Sequence, residues 1–146
     1  MEALSTLLTQ ILSNIRNEEF NIRSSQDLQR RLKDVEIQEE EIFFSLDIVA
    51  MFPSICLQLA MDLILKRWDE IKLYAPMSKS VFKEMLEFCL KWGYCIFDSD
   101  LYEQKNALSP VIAQLVLDHL FEQLDKEFGS DIIKTKIKYV DDSFFI

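Results

Sequence analysis

Carboxylates interrupt two apolar segments of the chain. Asp47 lies within the run FFSLDIVAMF at residues 43–52, and Asp141 and Asp142 stand side by side between the segments KYV and SFF. An ionised carboxylate inside an apolar strand is costly unless it is paired or holds a cation. Two simpler interpretations stay open: Asp47 is exposed at a strand end or caps a turn, and the Asp pair forms an ordinary hairpin turn.

Considered together, these carboxylates predict a site for divalent cations. If the strand bearing Asp47 pairs beside the hairpin bearing Asp141 and Asp142, the side chains converge at one edge of a sheet. Hard cations such as Mg²⁺ take oxygen ligands, often carboxylates shared with substrate phosphates. Two such ions stabilise the attacking and the leaving oxygens of a phosphoryl displacement. The reaction class that this arrangement predicts is nucleotidyl transfer.

The spacing of apolar residues predicts an α+β fold, with an antiparallel sheet packed on helices. One helix is capped by Ser24 or Ser25, and the last has Pro110 at its first position and ends at Gly129. We expect a buried strand over residues 42–49. The remaining predicted elements are helices over 3–15, 57–73 and 78–92, and hairpins over 94–104 and 132–146.

Polar residues within these elements have ordinary structural interpretations. Lys134, Lys136 and Lys138 alternate along one strand, so we expect a solvated outer face, although contact with a template phosphate stays open. His119 falls on the apolar stripe of the last helix, where we expect a core or boundary histidine.

Composition limits the class of protein. The chain has 146 residues, 49% of them apolar, which suits one domain with a sizeable core. No apolar run reaches the roughly 18 residues of a membrane span and no secretory signal is evident, so we expect no membrane partners. The cysteines match no zinc motif and are expected to be reduced core residues, which indicates an intracellular protein, nuclear or cytoplasmic. The formal net charge of −9 disfavours a free-standing nucleic-acid-binding domain.

Several segments resemble the conserved motifs of one enzyme family. Residues 44–55, FSLDIVAMFPSI, resemble motif A of a reverse transcriptase palm, and residues 139–142, YVDD, resemble its motif C. Between them, residues 102–104 and 108–115 resemble the two ends of motif B, and residues 20–32 are similar to the stretch before motif A. The resemblance covers most of the chain and is strongest to Penelope-like or other non-LTR retroelements.

The resemblance implies an RNA-directed DNA polymerase of a retrotransposon, a nucleotidyltransferase whose single partial domain spans residues 1–146. Asp47, Asp141 and Asp142 would be its catalytic residues and the ligands of Mg²⁺ (or Mn²⁺). Template-primer and deoxynucleoside triphosphate would be its partners. The substrate-binding residues implied are Phe52, Gln104, Ser109 and Pro110.

Two of these residues keep an alternative interpretation. Phe52 resembles the ring that excludes the ribose 2′-hydroxyl, but it could also pack in the core. Gln104 could belong to the nucleotide pocket or close the hairpin.

Motif B departs from the family pattern. The family has Gln-x-x-Gly-x-x-Met-Gly-x-x-Leu-Ser-Pro, but here only Lys105, Asn106 and Ala107 separate Gln104 from Leu108. Glycine lets the backbone approach a substrate where a side chain would obstruct it, so we expect impaired nucleotide binding. The expected finger strands and thumb lie outside the chain, and we expect the fragment to be inactive.

The sequence leaves room for two other function classes. A non-catalytic acidic interaction domain that retains the palm core is the main alternative. An unrelated palm-like nucleotidyltransferase or cyclase fits the Leu-Ser-Pro helix start poorly.

Overall fold

The computed structural model describes residues 2–47, 55–92, 94–97, 100–103, 108–139 and 142–146, which form helices and antiparallel strands. The predicted α+β class is confirmed at this level. The helices are α1 (Glu2–Leu12), followed by a 3₁₀ turn (Ser13–Ile15), α2 (Ser25–Leu32), α3 (Leu57–Lys66), α4 (Trp68–Ile71), α5 (Lys79–Trp92) and α6 (Leu108–Ile132). The strands are β1 (Phe44–Asp47), β2 (Tyr94–Phe97), β3 (Asp100–Glu103), β4 (Lys136–Tyr139) and β5 (Asp142–Phe145).

The chain divides into two compact units. The first comprises residues 1–16 and 50–117, and the second comprises residues 17–49 and 118–146. None of the helices in the described part of the chain combines the length and the apolar character that a bilayer-spanning helix requires.

The first unit is mainly helical and includes the β2–β3 hairpin. Its core contains Phe82, against which the Trp68 ring packs at a centroid distance of 5.5 Å. Cys89 is buried in this core, as expected, and burial raises the pKa of its thiol. Cys56 is exposed, so the prediction that it is a core residue was wrong. The side chain of Cys95 lies outside the described residues.

The long helix predicted over residues 57–73 is divided at Arg67. Arg67 has φ −95° and ψ 20°, and it separates α3 from α4. Its guanidinium donates to the Ile15 carbonyl at 2.6 Å and pairs with Glu70 at 2.7 Å. Because apolar spacing continues across the break, periodicity alone does not reveal it.

The last helix differs from the prediction at its first residue and is interrupted at the predicted glycine. It begins at Leu108, so Pro110 lies in the first turn but not at the first position. Its missing N–H is tolerated because the first four amides of a helix have no helical partner. Gly129 (φ 65°, ψ −179°) has a non-helical conformation and breaks the helix where the sequence predicts its end, and a short helical segment then continues to Ile132.

The second unit contains a three-stranded antiparallel sheet in the order β1-β5-β4. Phe121 of α6 packs against Phe20 and Phe145, with ring centroids 5.4 and 5.6 Å apart, and these rings form a small core. The prediction that β1 is buried was wrong: all of its residues are exposed, including Leu46 at 55%. In the described sheet β1 is an edge strand whose strand neighbour is β5, which explains this exposure.

Candidate metal centre

The register of β1 and β5 brings two predicted metal ligands together. Asp47 is paired directly with Asp142 across the antiparallel ladder. Residues directly opposite each other project from the same face, with Cβ atoms about 4.5–5.5 Å apart. The expectation that the strand bearing Asp47 lies beside the C-terminal hairpin is therefore met.

Both carboxylates are exposed, and this corrects one step of the sequence argument. Asp47 is the last residue of β1 and points to solvent, so no penalty for an uncompensated buried charge applies to it. The position of Asp47 therefore matches the simpler interpretation, in which it is an exposed residue at the end of a strand. What needs explanation is the pairing of Asp47 with Asp142, because like charges directly opposite one another destabilise a sheet.

The other predicted site residues are distributed differently. Asp141, Phe52 and Gln104 lie outside the described residues. Ser109, which is buried, and Pro110, which is exposed, lie in the first turn of α6 within the first unit. Within the described part of the chain, the site therefore consists of Asp47 and Asp142.

A cavity of about 350 Å³ adjoins Asp142. Tyr139, paired with Asp142 in the β4–β5 register, and Phe144 form part of its wall. The other lining residues come from the start of α2 and the segment before it: Ile22, Ser24, Ser25 and Leu28. The site thus combines one carboxylate with mainly apolar walls.

The start of α2 is held in place by a cap. The Ser24 hydroxyl accepts a hydrogen bond from the Asp27 amide at 3.2 Å, which confirms the predicted cap. The Asp27 carboxylate accepts from the Arg23 amide at 3.0 Å and from the guanidinium groups of Arg30 and Arg31. These hydrogen bonds, that of the Arg23 amide first, lower the pKa of Asp27 to about 2.

We expect Asp27→Asn to reduce stability at neutral pH, and the loss to disappear in acid. Since the folded-state pKa is below the ordinary value of 3.8, the stabilisation is complete above 3.8 and is lost as the pH falls towards 2. Urea midpoints of both proteins between about pH 6 and pH 2 measure this effect. Asp34→Asn, at an exposed carboxylate just after α2, is the control and should not reproduce the loss. Equal stability of wild type and Asp27→Asn at neutral pH would contradict the assignment.

The sequence does not predict the buried ionic cluster that Lys138, Asp118 and Asn21 form. The Lys138 ammonium contacts Asp118 at 2.8 Å, with side chains 0% and 1% exposed, and donates to the Asn21 Oδ1 at 2.8 Å. The Asn21 amide in turn donates to Asp118 at 2.9 Å. One signal was available: Asp118 lies three residues from both Leu115 and Phe121, which are buried on the same helix.

The prediction that the β4 lysines form a solvated face was wrong. Lys138 is fully buried and Lys136 is 7% exposed and paired with Asp125. Lys134, which precedes β4, is exposed as predicted and pairs with Glu41 at 3.1 Å. The carboxylates of Asp118 and Asp125 explain how Lys138 and Lys136 fold against the protein. His119 is half-buried, as expected of a boundary histidine.

The donor set fits a hard divalent cation. Mg²⁺ is commonly bound through one or two carboxylates plus substrate phosphates, which matches the Asp47–Asp142 pair. Among the described residues, no group of three or more His, Cys, Asp or Glu side chains is arranged to hold a metal. No protein-family model matches the chain, and no curated protein matches it. The family resemblance therefore stays a prediction based on the motifs.

Proposed function

We propose that the chain is the palm part of an RNA-directed DNA polymerase of a retroelement. The observation that carries the proposal is the register that pairs Asp47 with Asp142. These residues belong to the segments that resemble motifs A and C, which are far apart in the sequence. A pairing of the two motifs is what a shared cation site requires.

Each part of the site has a role in this proposal. A divalent cation, when bound, supplies positive charge to the oxygens of the reacting phosphate. Asp47 and Asp142 bind the cation from the exposed face, which leaves it open to the triphosphate and the primer end, and the resemblance assigns Asp141 to the same cation. Tyr139 and Phe144 supply an aromatic wall beside Asp142, since they line the adjoining cavity.

A non-catalytic acidic interaction domain is the second candidate function. The formal net charge of −9 and the short segment between Gln104 and Leu108 favour it. Divalent-cation binding at Asp47 distinguishes the two candidates, because an interaction domain has no need of it.

We expect wild type to bind Mn²⁺ and Asp47→Asn to bind it about tenfold more weakly or worse. Removing one of the two carboxylate charges takes away several kcal/mol of attraction for the cation at close range. A loss of about 1.4 kcal/mol already weakens the affinity tenfold. Titration of free Mn²⁺ by electron paramagnetic resonance measures the affinity. Without cation, Asp47→Asn should be slightly more stable, by up to about 1 kcal/mol, because it removes the repulsion.

Asp62→Asn is the matched control for this titration. Asp62 is an exposed carboxylate on α3 that accepts a hydrogen bond from Gln58 at 2.9 Å. Its replacement changes the net charge by the same amount and should leave the Mn²⁺ affinity unchanged. Equal affinities of wild type and Asp47→Asn would refute the proposed metal centre.

A further inference from the structure

The buried cluster of Lys138, Asp118 and Asn21 connects three segments of the second unit. Lys138 belongs to β4, Asp118 to α6, and Asn21 to the segment before α2. The second Asp118 oxygen accepts from the Asn17 amide at 3.1 Å, and the Lys138 ammonium lies 5.9 Å from the centre of the Phe121 ring. The ammonium and the carboxylate are therefore surrounded by fixed partners.

The main chain of Lys138 is held at the same point. Its amide donates to the Phe20 carbonyl at 2.8 Å, and its carbonyl accepts from the Ile22 amide at 2.9 Å. Asn21 and Lys138 form an isolated parallel bridge. The backbone and the side chain of Lys138 thus anchor the same strand position to the same segment.

This anchor lies next to the carboxylate pair in the ladder. Lys138 is paired with Ser143, and Ser143 with Leu46. One step further along the strands, Asp142 is paired with Asp47. A slip of one residue moves every side chain of a strand to the opposite face, so it would separate the two carboxylates.

The cluster penalises such a slip. If β4 shifted by one residue, the Lys138 ammonium would leave the interior and the Asp118 carboxylate would remain buried without its counter-charge. Strand β1 is joined to β5 by stacking of Phe44 on Phe145 at 5.1 Å, but its residues are exposed and none of them carries a charge that a slip would bury. Buried ion pairs add little stability over apolar replacements, and definition of register is their best-supported role.

We propose that Lys138, Asp118 and Asn21 are positioning residues that hold the C-terminal hairpin in the register in which Asp142 faces Asp47. The consequence of this register, which is cation binding, rests on the proposed function. The register itself can be measured without any cation.

The test compares wild type with the double variant Lys138→Met/Asp118→Leu. This variant removes both charges while keeping apolar volume, so it should fold. Cross-strand nuclear Overhauser effects between β1 and β5 report the register, and Mn²⁺ titration reports the site. We expect a second set of cross-strand contacts in the variant and Mn²⁺ affinity weakened about tenfold or more.

Lys136→Met/Asp125→Leu is the matched control. It removes another ion pair between the same strand and the same helix, but Asp125 is 41% exposed. The control should keep one register and the wild-type Mn²⁺ affinity. If Lys138→Met/Asp118→Leu does not fold, Lys138→Met/Asp118→Asn takes its place, because it also removes both charges and keeps the shape of the Asp118 side chain.

The outcomes separate the two proposals. A single register with Asp47 opposite Asp142 in the double variant, as in wild type, overturns the positioning role. Register heterogeneity confined to the cluster variants supports it, whether or not wild type binds Mn²⁺. Wild type with the expected register but without Mn²⁺ binding overturns the proposed function alone.

Discussion

Asp141→Ala is expected to remove any Mg²⁺- or Mn²⁺-dependent primer extension by this protein, a loss of roughly 10³-fold or more. Asp47→Asn should have the same effect. Both residues would act on one cation site, so the double variant should be no worse than either single variant. Extension of a DNA primer on an RNA template, with and without the divalent cation, measures the activity.

A surface carboxylate elsewhere in the second unit provides the control. Asp131→Asn changes an exposed residue near the end of α6 and should leave extension unaffected. Robust synthesis by Asp141→Ala would contradict the catalytic assignment. A different outcome is that wild type binds Mn²⁺ through Asp47 but does not extend a primer. That result would be explained by impaired nucleotide binding, which we expect from the short segment after Gln104.

Lys138→Met is expected to destabilise the second unit by about 3–5 kcal/mol. The substitution leaves the Asp118 carboxylate buried, at 1% exposure, without its ammonium partner. Lys138→Met/Asp118→Leu should recover most of this loss, because it removes both charges and leaves only the hydrogen bonds of Asn21 and of the Asn17 amide unmade. A large loss in the single variant with recovery in the double variant would be the signature of a buried ion pair.

The measurement must report the second unit. Both tryptophans, Trp68 and Trp92, belong to the first unit, so their fluorescence is not a suitable probe. Amide hydrogen exchange of β4 and β5 under increasing urea follows the relevant strands. Lys136→Met, whose partner Asp125 is largely solvated, should cost about 1 kcal/mol or less. A loss of that same small size in Lys138→Met would show that the buried pair is energetically unimportant.

Local signals in the sequence predicted several elements well. The apolar spacing of residues 3–15 gave α1 and the turn after it, and Ser24 is the observed cap of α2. The pairing of Asp47 beside the C-terminal hairpin was a condition of the predicted cation site, and the register meets it although both carboxylates are exposed. The helix and its cap depend on short-range patterns.

Features set by long-range contacts were not predictable in the same way. Whether an apolar strand such as β1 is buried depends on what packs against it, and its composition alone suggested the wrong answer. The alternating lysines of β4 resemble a solvated face, yet Lys138 is buried because Asp118 and Asn21 are folded against it. The partners of Lys138 are distant in the sequence, so no local window contains them.

Arg31 has a consequence for how α2 unfolds. This eight-residue helix has no buried residue, and a helix this short is marginal alone. The Arg31 guanidinium donates to the carbonyls of Glu18, Glu19 and Asn21 at 2.9, 2.6 and 2.7 Å. Because Arg31 of α2 donates these hydrogen bonds, unwinding of the helix also leaves the three loop carbonyls without this donor. Opening of α2 therefore weakens the loop, which stays tied to β4 through the Phe20 carbonyl and the Ile22 amide.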